Sequence, residues 1–126
     1  MFRFVVCVAA LAFATPSFAE SLPKRVGQCA TTKVQRVETR LVDGSGQPVK
    51  GSGSAVEFVN GGYQVSYDTV AEVEASRPGD EVKICLVSIP HPCPPGDKRG
   101  RVYKTTNLRT NGSWTLPDSG HSCGGA

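Results

Sequence analysis

The side chains with the most chemistry in this chain are sulfur and imidazole, and they recur in a pattern. Four of the five cysteines, Cys29, Cys85, Cys93 and Cys123, follow the first apolar stretch, and both histidines precede one of them at the same spacing, in His91-Pro92-Cys93 and His121-Ser122-Cys123. Two imidazoles and two thiolates could hold zinc or copper tetrahedrally. In an oxidising compartment thiols are spent as disulfides instead, and a Cys93–Cys123 bond would still draw His91 and His121 together to share a metal without sulfur. Four cysteines allow three pairings. The expected ones are Cys85 with Cys93, bridging a strand to the loop after it, and Cys29 with Cys123, tying the two ends of the domain together. No cofactor is expected.

A second group is basic and aromatic. Along a regular strand Arg99, Arg101, Tyr103, Thr105, Asn107 and Arg109 fall on one side, while Val102 and Leu108 face the other. A two-residue turn at Asn111-Gly112 would then place Trp114 opposite Arg109. Such a strip could stack a ring or a sugar and pair with carboxylates or phosphates. In the structural alternative a bulge turns Trp114, the one tryptophan of the chain, into the core with Arg109 lying over it. The candidate ligand-binding set is therefore Arg99, Arg101, Tyr103, Asn107, Arg109 and Trp114, with Trp114 expected to be at least partly exposed beside Arg109.

Catalytic patterns are absent. His91 lies in a proline-rich loop and His121 near the end of the chain, so neither has the neighbours of a nucleophile–base pair. Gly51-Ser52-Gly53-Ser54 lacks the Gly-x-Ser-x-Gly spacing of a nucleophile elbow. Gly44-Ser45-Gly46 is followed by no Gly-Lys-Ser/Thr. Asp43, Asp80, Asp97 and Asp118 each adjoin Gly, Pro or Ser, where turn formation accounts for them. The expectation is a protein that is not an enzyme.

These groups need a compartment and a scaffold. Residues 1–19 read as a signal peptide: Arg3 is the positive start, Phe4 to Phe13 an apolar run too short to span a bilayer, and Ser17-Phe18-Ala19 a cleavage signal. Cys7 would leave with this leader. Removal of Arg3 leaves 13 basic against 11 acidic residues, too even a balance for a nucleic-acid protein. With 39% hydrophobic and 20% charged residues the chain is neither disordered nor multi-spanning. The mature product is expected in the periplasm or outside the cell, with no membrane span and with an envelope or extracellular protein or glycan as partner.

The 126 residues suffice for one domain. After a loose N-terminal arm at 20–28, residues 29–126 read as a single β domain. Ala30 to Val42 is a first strand whose phase slip suggests a bulge, and Asp43 to Gly53 a mobile loop. Ser54 to Val59 and Gly62 to Tyr67 flank Asn60-Gly61 as a type I′ hairpin, setting Phe58 opposite Tyr63 and Val56 opposite Val65. Asp68 to Ser76 should make one helical turn, with Thr69 and Glu72 at capping-box spacing. Arg77 to Asp80 is a turn, Glu81 to Ile89 a central strand covered on both faces, and His91 to Gly100 a stiff loop. Arg101 to Thr110 and Ser113 to Leu116 form the last hairpin. The expected fold is mainly β, a small antiparallel barrel or sandwich of about six short strands braced by disulfides.

Cys85-Leu86-Val87-Ser88-Ile89-Pro90, Cys93-Pro94-Pro95-Gly96-Asp97, Arg99-Gly100-Arg101-Val102-Tyr103, Ser113-Trp114-Thr115-Leu116-Pro117-Asp118-Ser119 and Cys123-Gly124-Gly125-Ala126 together resemble uncharacterised small exported proteins of Gram-negative bacteria. The resemblance covers roughly the last forty residues and implies export and a shared fold, with no catalytic residue. In size, export and braced β architecture the chain is also similar to periplasmic lysozyme inhibitors. Their Ser-Gly-rich inhibitory loop has a loose counterpart in Gly51-Ser52-Gly53-Ser54-Ala55, while their paired C-terminal tryptophans are missing. Three functions follow: an exported, non-catalytic binding or structural module with its surface on the final hairpin, an enzyme inhibitor of lysozyme-inhibitor type, or a metal-binding protein using the two His-x-Cys segments.

Overall fold

A computed structural model describes residues 7–13 and 19–125. Arg3, Ser17 and Phe18 of the leader reading lie outside them. The described part of the leader has no regular structure, and Val8, Leu11 and Phe13 are exposed.

Six antiparallel strands form one sheet: β1 (Cys29–Thr39), β2 (Ser54–Phe58), β3 (Tyr63–Ser66), β4 (Glu81–Ser88), β5 (Val102–Asn107) and β6 (Ser113–Pro117), in the order β3-β2-β1-β4-β5-β6. The sheet curls into a half-barrel, which brings the edge strands β3 and β6 near each other. A single helical turn, α1 (Ala71–Glu74), lies where one was expected, although no side chain caps it and Val70 stands at its N-cap.

Alternation decides the concave face. Ala30, Thr32 and Val34 of β1, Val56 and Phe58 of β2, and Val82, Ile84 and Leu86 of β4 are buried. Val34 opposes Phe58 and Ala30 opposes Ile84, so the apolar sets meet as period-two strands require. The phase slip of the first strand is a register shift between Val34 and Arg36, after which Val37 opposes Val56. Beyond it Arg36 pairs with Glu38 and Glu57 on the outer face. β4 is central, but its outer face is open: Val87 is exposed, and a second shift between Leu86 and Ser88 turns Ile89 back to the core.

Both hairpin registers differ from expectation, for the same reason. At Asn60-Gly61 the loop has three residues, with Glu57 opposite Tyr63 and Val56 opposite Gln64. Gly61, at φ 87°, takes the left-handed position alone and its N–H donates to Phe58 O, as a type I turn with a following bulge needs. In the last hairpin β5 stops at Asn107. Its N–H donates to Gly112 O, the Asn111 N–H donates back to Asn107 O, and Asn107 Oδ1 accepts from the Arg109 and Thr110 amides. Trp114 therefore opposes Thr105, not Arg109.

The disulfides also differ from the preferred pairing. They are Cys29–Cys85 and Cys93–Cys123, so neither Cys29–Cys123 nor Cys85–Cys93 forms. Cys29 and Cys85 stand directly opposite on β1 and β4, a non-local register that puts the two side chains on one face. Each closure removes roughly 4 kcal/mol of chain entropy from the unfolded state on the loop-entropy model.

The arm at 20–28 is held, not loose. The Glu20 N–H donates to Thr31 O, Glu20 O accepts from Asn60 Nδ2, and the Gly27 N–H donates to Leu86 O. Leu22 packs on the core and Pro23 is buried.

Candidate functional site

The strand parity that grouped Arg101, Tyr103, Asn107 and Trp114 is right, but the shared face is the concave one. Trp114 is 5% exposed, Tyr103 4% and Asn107 0%. The Trp114 indole N–H donates to Gln64 Oε1, which also accepts from Thr105 Oγ1, while Gln64 Nε2 donates to Tyr103 O and Leu116 O. Gln64 thus joins β3 to β5 and β6 with every polar atom used. Arg109 turns to Asp80, with Nε and Nη2 on its two carboxylate oxygens at 2.7 and 3.0 Å. Asn107 Nδ2 donates to the same carboxylate and to Ser76 Oγ, and the Arg77 N–H donates to Asp80 too. The Arg109 guanidinium holds the Asp80 carboxyl well below the usual carboxylate range, with Asn107 and Arg77 assisting against the opposing effect of burial. With the indole buried and Arg109 committed, no basic-aromatic strip lies on the final hairpin.

Arg99 is also committed. It binds Asp97 through Nε and Nη2 and reaches Gly125 O. Asp97 accepts the Gly124 N–H, and the Cys123 N–H donates to Arg99 O. With the Cys93–Cys123 bond these contacts strap the end of the chain to the loop before β5. The bond links the two His-x-Cys segments, but His91 and His121 are exposed, and no group of three or more His, Cys, Asp or Glu that could hold a metal occurs among the described residues.

The segment compared with an inhibitory loop is packed. Ser52, Gly53, Ser54 and Ala55 are buried, Ser52 Oγ accepts the Leu41 N–H, and a Cβ on Gly53 would fall 1.9 Å from Ser66 O. It presents no free loop.

One expected pair, Arg101 and Tyr103, does reach a cavity. An open cleft of about 340 Å³ lies between the arm and the start of β5, lined by Leu22, Pro23, Lys24, Lys98, Arg101 and Tyr103. Asp118 completes its wall. Gly100 sets the geometry: at φ 98° it fits against Ser122 and Pro90, where a Cβ would come within 3.2 and 3.3 Å. Its N–H donates to Asp118 Oδ1 at 2.8 Å, and the Asp118 N–H donates to Arg101 O. Burial raises the Asp118 carboxyl above its ordinary value, against the stabilising Gly100 and Arg101 amides. Burial likewise raises the Tyr103 hydroxyl, helped by the Asp118 charge and opposed by the Arg101 charge and a side-chain hydrogen bond with Arg101.

Three cationic side chains and one carboxylate thus share a cleft with an apolar wall. Arg101 Nε is buried with no hydrogen-bond partner, a costly state for a charged donor. Among the described residues no ion pair uses Lys24, Lys98 or Arg101. Lys24, Lys98 and Asp118 were missed in the sequence because the arm was read as loose and Asp118 as a turn residue. The parity that selected Arg101 and Tyr103 was the one available signal. Nothing matches this chain in comparisons with protein-family models, curated proteins and solved structures.

Proposed function

We propose that this protein is an exported, non-catalytic binding module that holds its ligand in the cleft between the arm and β5. One observation carries the reading: among the described residues Arg101, Lys24 and Lys98 line one cavity outside any ion pair, and the buried Nε of Arg101 has no hydrogen-bond partner. Three other arginines, Arg36, Arg99 and Arg109, each engage a carboxylate.

Export is supported by the leader pattern and by two disulfides, which suit a non-reducing, extracellular-type environment. No helix among the described residues is long and apolar enough to cross a membrane.

The test is a titration of isotope-labelled, oxidised protein with small molecules fractionated from an envelope extract. Binding at the cleft shifts the amides of Lys24, Gly100, Arg101 and Tyr103, and Arg101→Gln removes the shifts. Perturbation confined to another face, or a fraction consumed by turnover, overturns the proposal.

A further inference from the structure

A smaller cavity of about 190 Å³ adjoins the cleft, lined by Pro90, His91, Asp97, Lys98 and Arg101 among others. Lys98 and Arg101 border both cavities. We infer that the two are halves of one groove, and that its ligand is a small carboxylate joined to an apolar body, the carboxylate seated between Lys98 and Arg101 and the body lying against Leu22, Pro23 and Tyr103. This rests on the reading of the cleft as the ligand site.

Charge selects the sign of the ligand. The shared waist carries two cations and Lys24 adds a third in the cleft, and the acidic neighbours offset them only in part: Asp97 is paired with Arg99, and the single Asp118 carboxylate, which accepts the Gly100 N–H, stands against Arg101. A guanidinium presents its donors as a planar fork that pairs with a carboxylate or with a phosphate, so charge, not geometry, separates the two. A dianion would bring its second charge towards the Asp118 carboxylate on the same wall.

Apolar area selects the rest. Leu22, Pro23 and Tyr103 line the cleft on one flank, so this side offers hydrocarbon. The flank beyond the waist mixes Ile89, Pro90 and Cys93 with His91 and Asp97 and is the more polar of the two. A ligand with one apolar end and one anionic group is oriented by that asymmetry. The cavity lies at the low end of small-molecule sites, on the order of 300–1,000 Å³, which favours a short body.

The experiment titrates the exported, oxidised protein with hexanoate, hexanol, acetate and inorganic phosphate, following the Lys24, Gly100 and Arg101 amides. Hexanoate is expected to shift all three, with hexanol, acetate and phosphate each at least ~10-fold weaker, since the loss of either half of the ligand removes about 1.4 kcal/mol or more. Arg101→Gln is expected to weaken hexanoate by a similar factor, and Lys98→Gln serves if that variant does not fold. Equal binding of hexanol would remove the carboxylate, and equal binding of phosphate would remove the apolar body. If all four probes fail while an extract fraction shifts the same amides, this ligand class is wrong and the cleft survives. If nothing shifts them, both fall.

Discussion

Two polar regions of this half-barrel use similar residues to opposite ends. Around Gln64 and around Asp80, buried amides, hydroxyls, an indole and a guanidinium consume one another's hydrogen-bonding capacity. Gln64 alone ties Trp114, Thr105, Tyr103 and Leu116 together across the gap between the sheet edges. Around Arg101, by contrast, the guanidinium meets Tyr103 and faces the Asp118 charge but leaves its buried Nε without a partner, and two lysines outside any ion pair among the described residues line the same cavity. A satisfied network holds the fold; an unsatisfied one in a cleft is available to a ligand.

Substitution separates the two. Trp114→Ala is expected to lose about 3–5 kcal/mol, the range for a large aromatic removed from a core. Gln64→Leu should lose roughly 2–4 kcal/mol by stranding the indole N–H and the carbonyls of Tyr103 and Leu116. Both are read from urea midpoints, and a loss below about 1 kcal/mol in both would mean that the network does not hold the edges together.

Asp80→Asn comes next, at roughly 2 kcal/mol near neutral pH, because Arg109 is 42% exposed and water offsets part of its loss. Its effect has a sign in pH. The folded Asp80 carboxyl lies below its unfolded value, so its contribution is complete above the unfolded pKa of about 4 and is lost as pH falls towards the folded one. The gap between wild type and variant should therefore narrow below about pH 4, and a gap that widens there would refute the pairing. The smallest effect on stability belongs to Arg101→Gln, expected within about 0.5 kcal/mol of wild type although it weakens binding in the cleft about 10-fold. If it destabilised the protein as much as Gln64→Leu, the two regions would be the same kind of structure.

The hairpins, the helical turn, the bulge in β1 and the disulfide-braced β fold were legible because each depends on neighbours in sequence. Asn-Gly marked both loops, but not which residue would take the left-handed angle. Gly61 takes it in one hairpin and Asn111 in the other, and loop length and register follow from that choice. The face of β5 was misread for a physical reason. Tyr103, Thr105 and Asn107 look like a solvated edge, yet the half-barrel buries them because Gln64, Ser76 and Asp80 arrive from distant segments to satisfy them. The cysteine pairing failed on the same ground, since β1 meets β4 only through the fold. Of the candidate site, Arg101 and Tyr103 were visible as a parity pair; Lys24, Lys98 and Asp118 became neighbours only once the arm was pinned to the sheet.

That pin is the amide nitrogen of Glu20, which donates to Thr31 O while the Glu20 carboxylate accepts from the Thr31 N–H. If the leader is cut after Ala19, this nitrogen becomes the first atom of the mature chain and acquires a positive charge, facing a carbonyl acceptor already in place. Maturation would then tighten a wall of the groove instead of freeing a loose end. The signature is an amino terminus that holds its proton above the ordinary terminal range of about 7.7–8.0, and a terminus titrating within that range would show that the new charge is left to solvent.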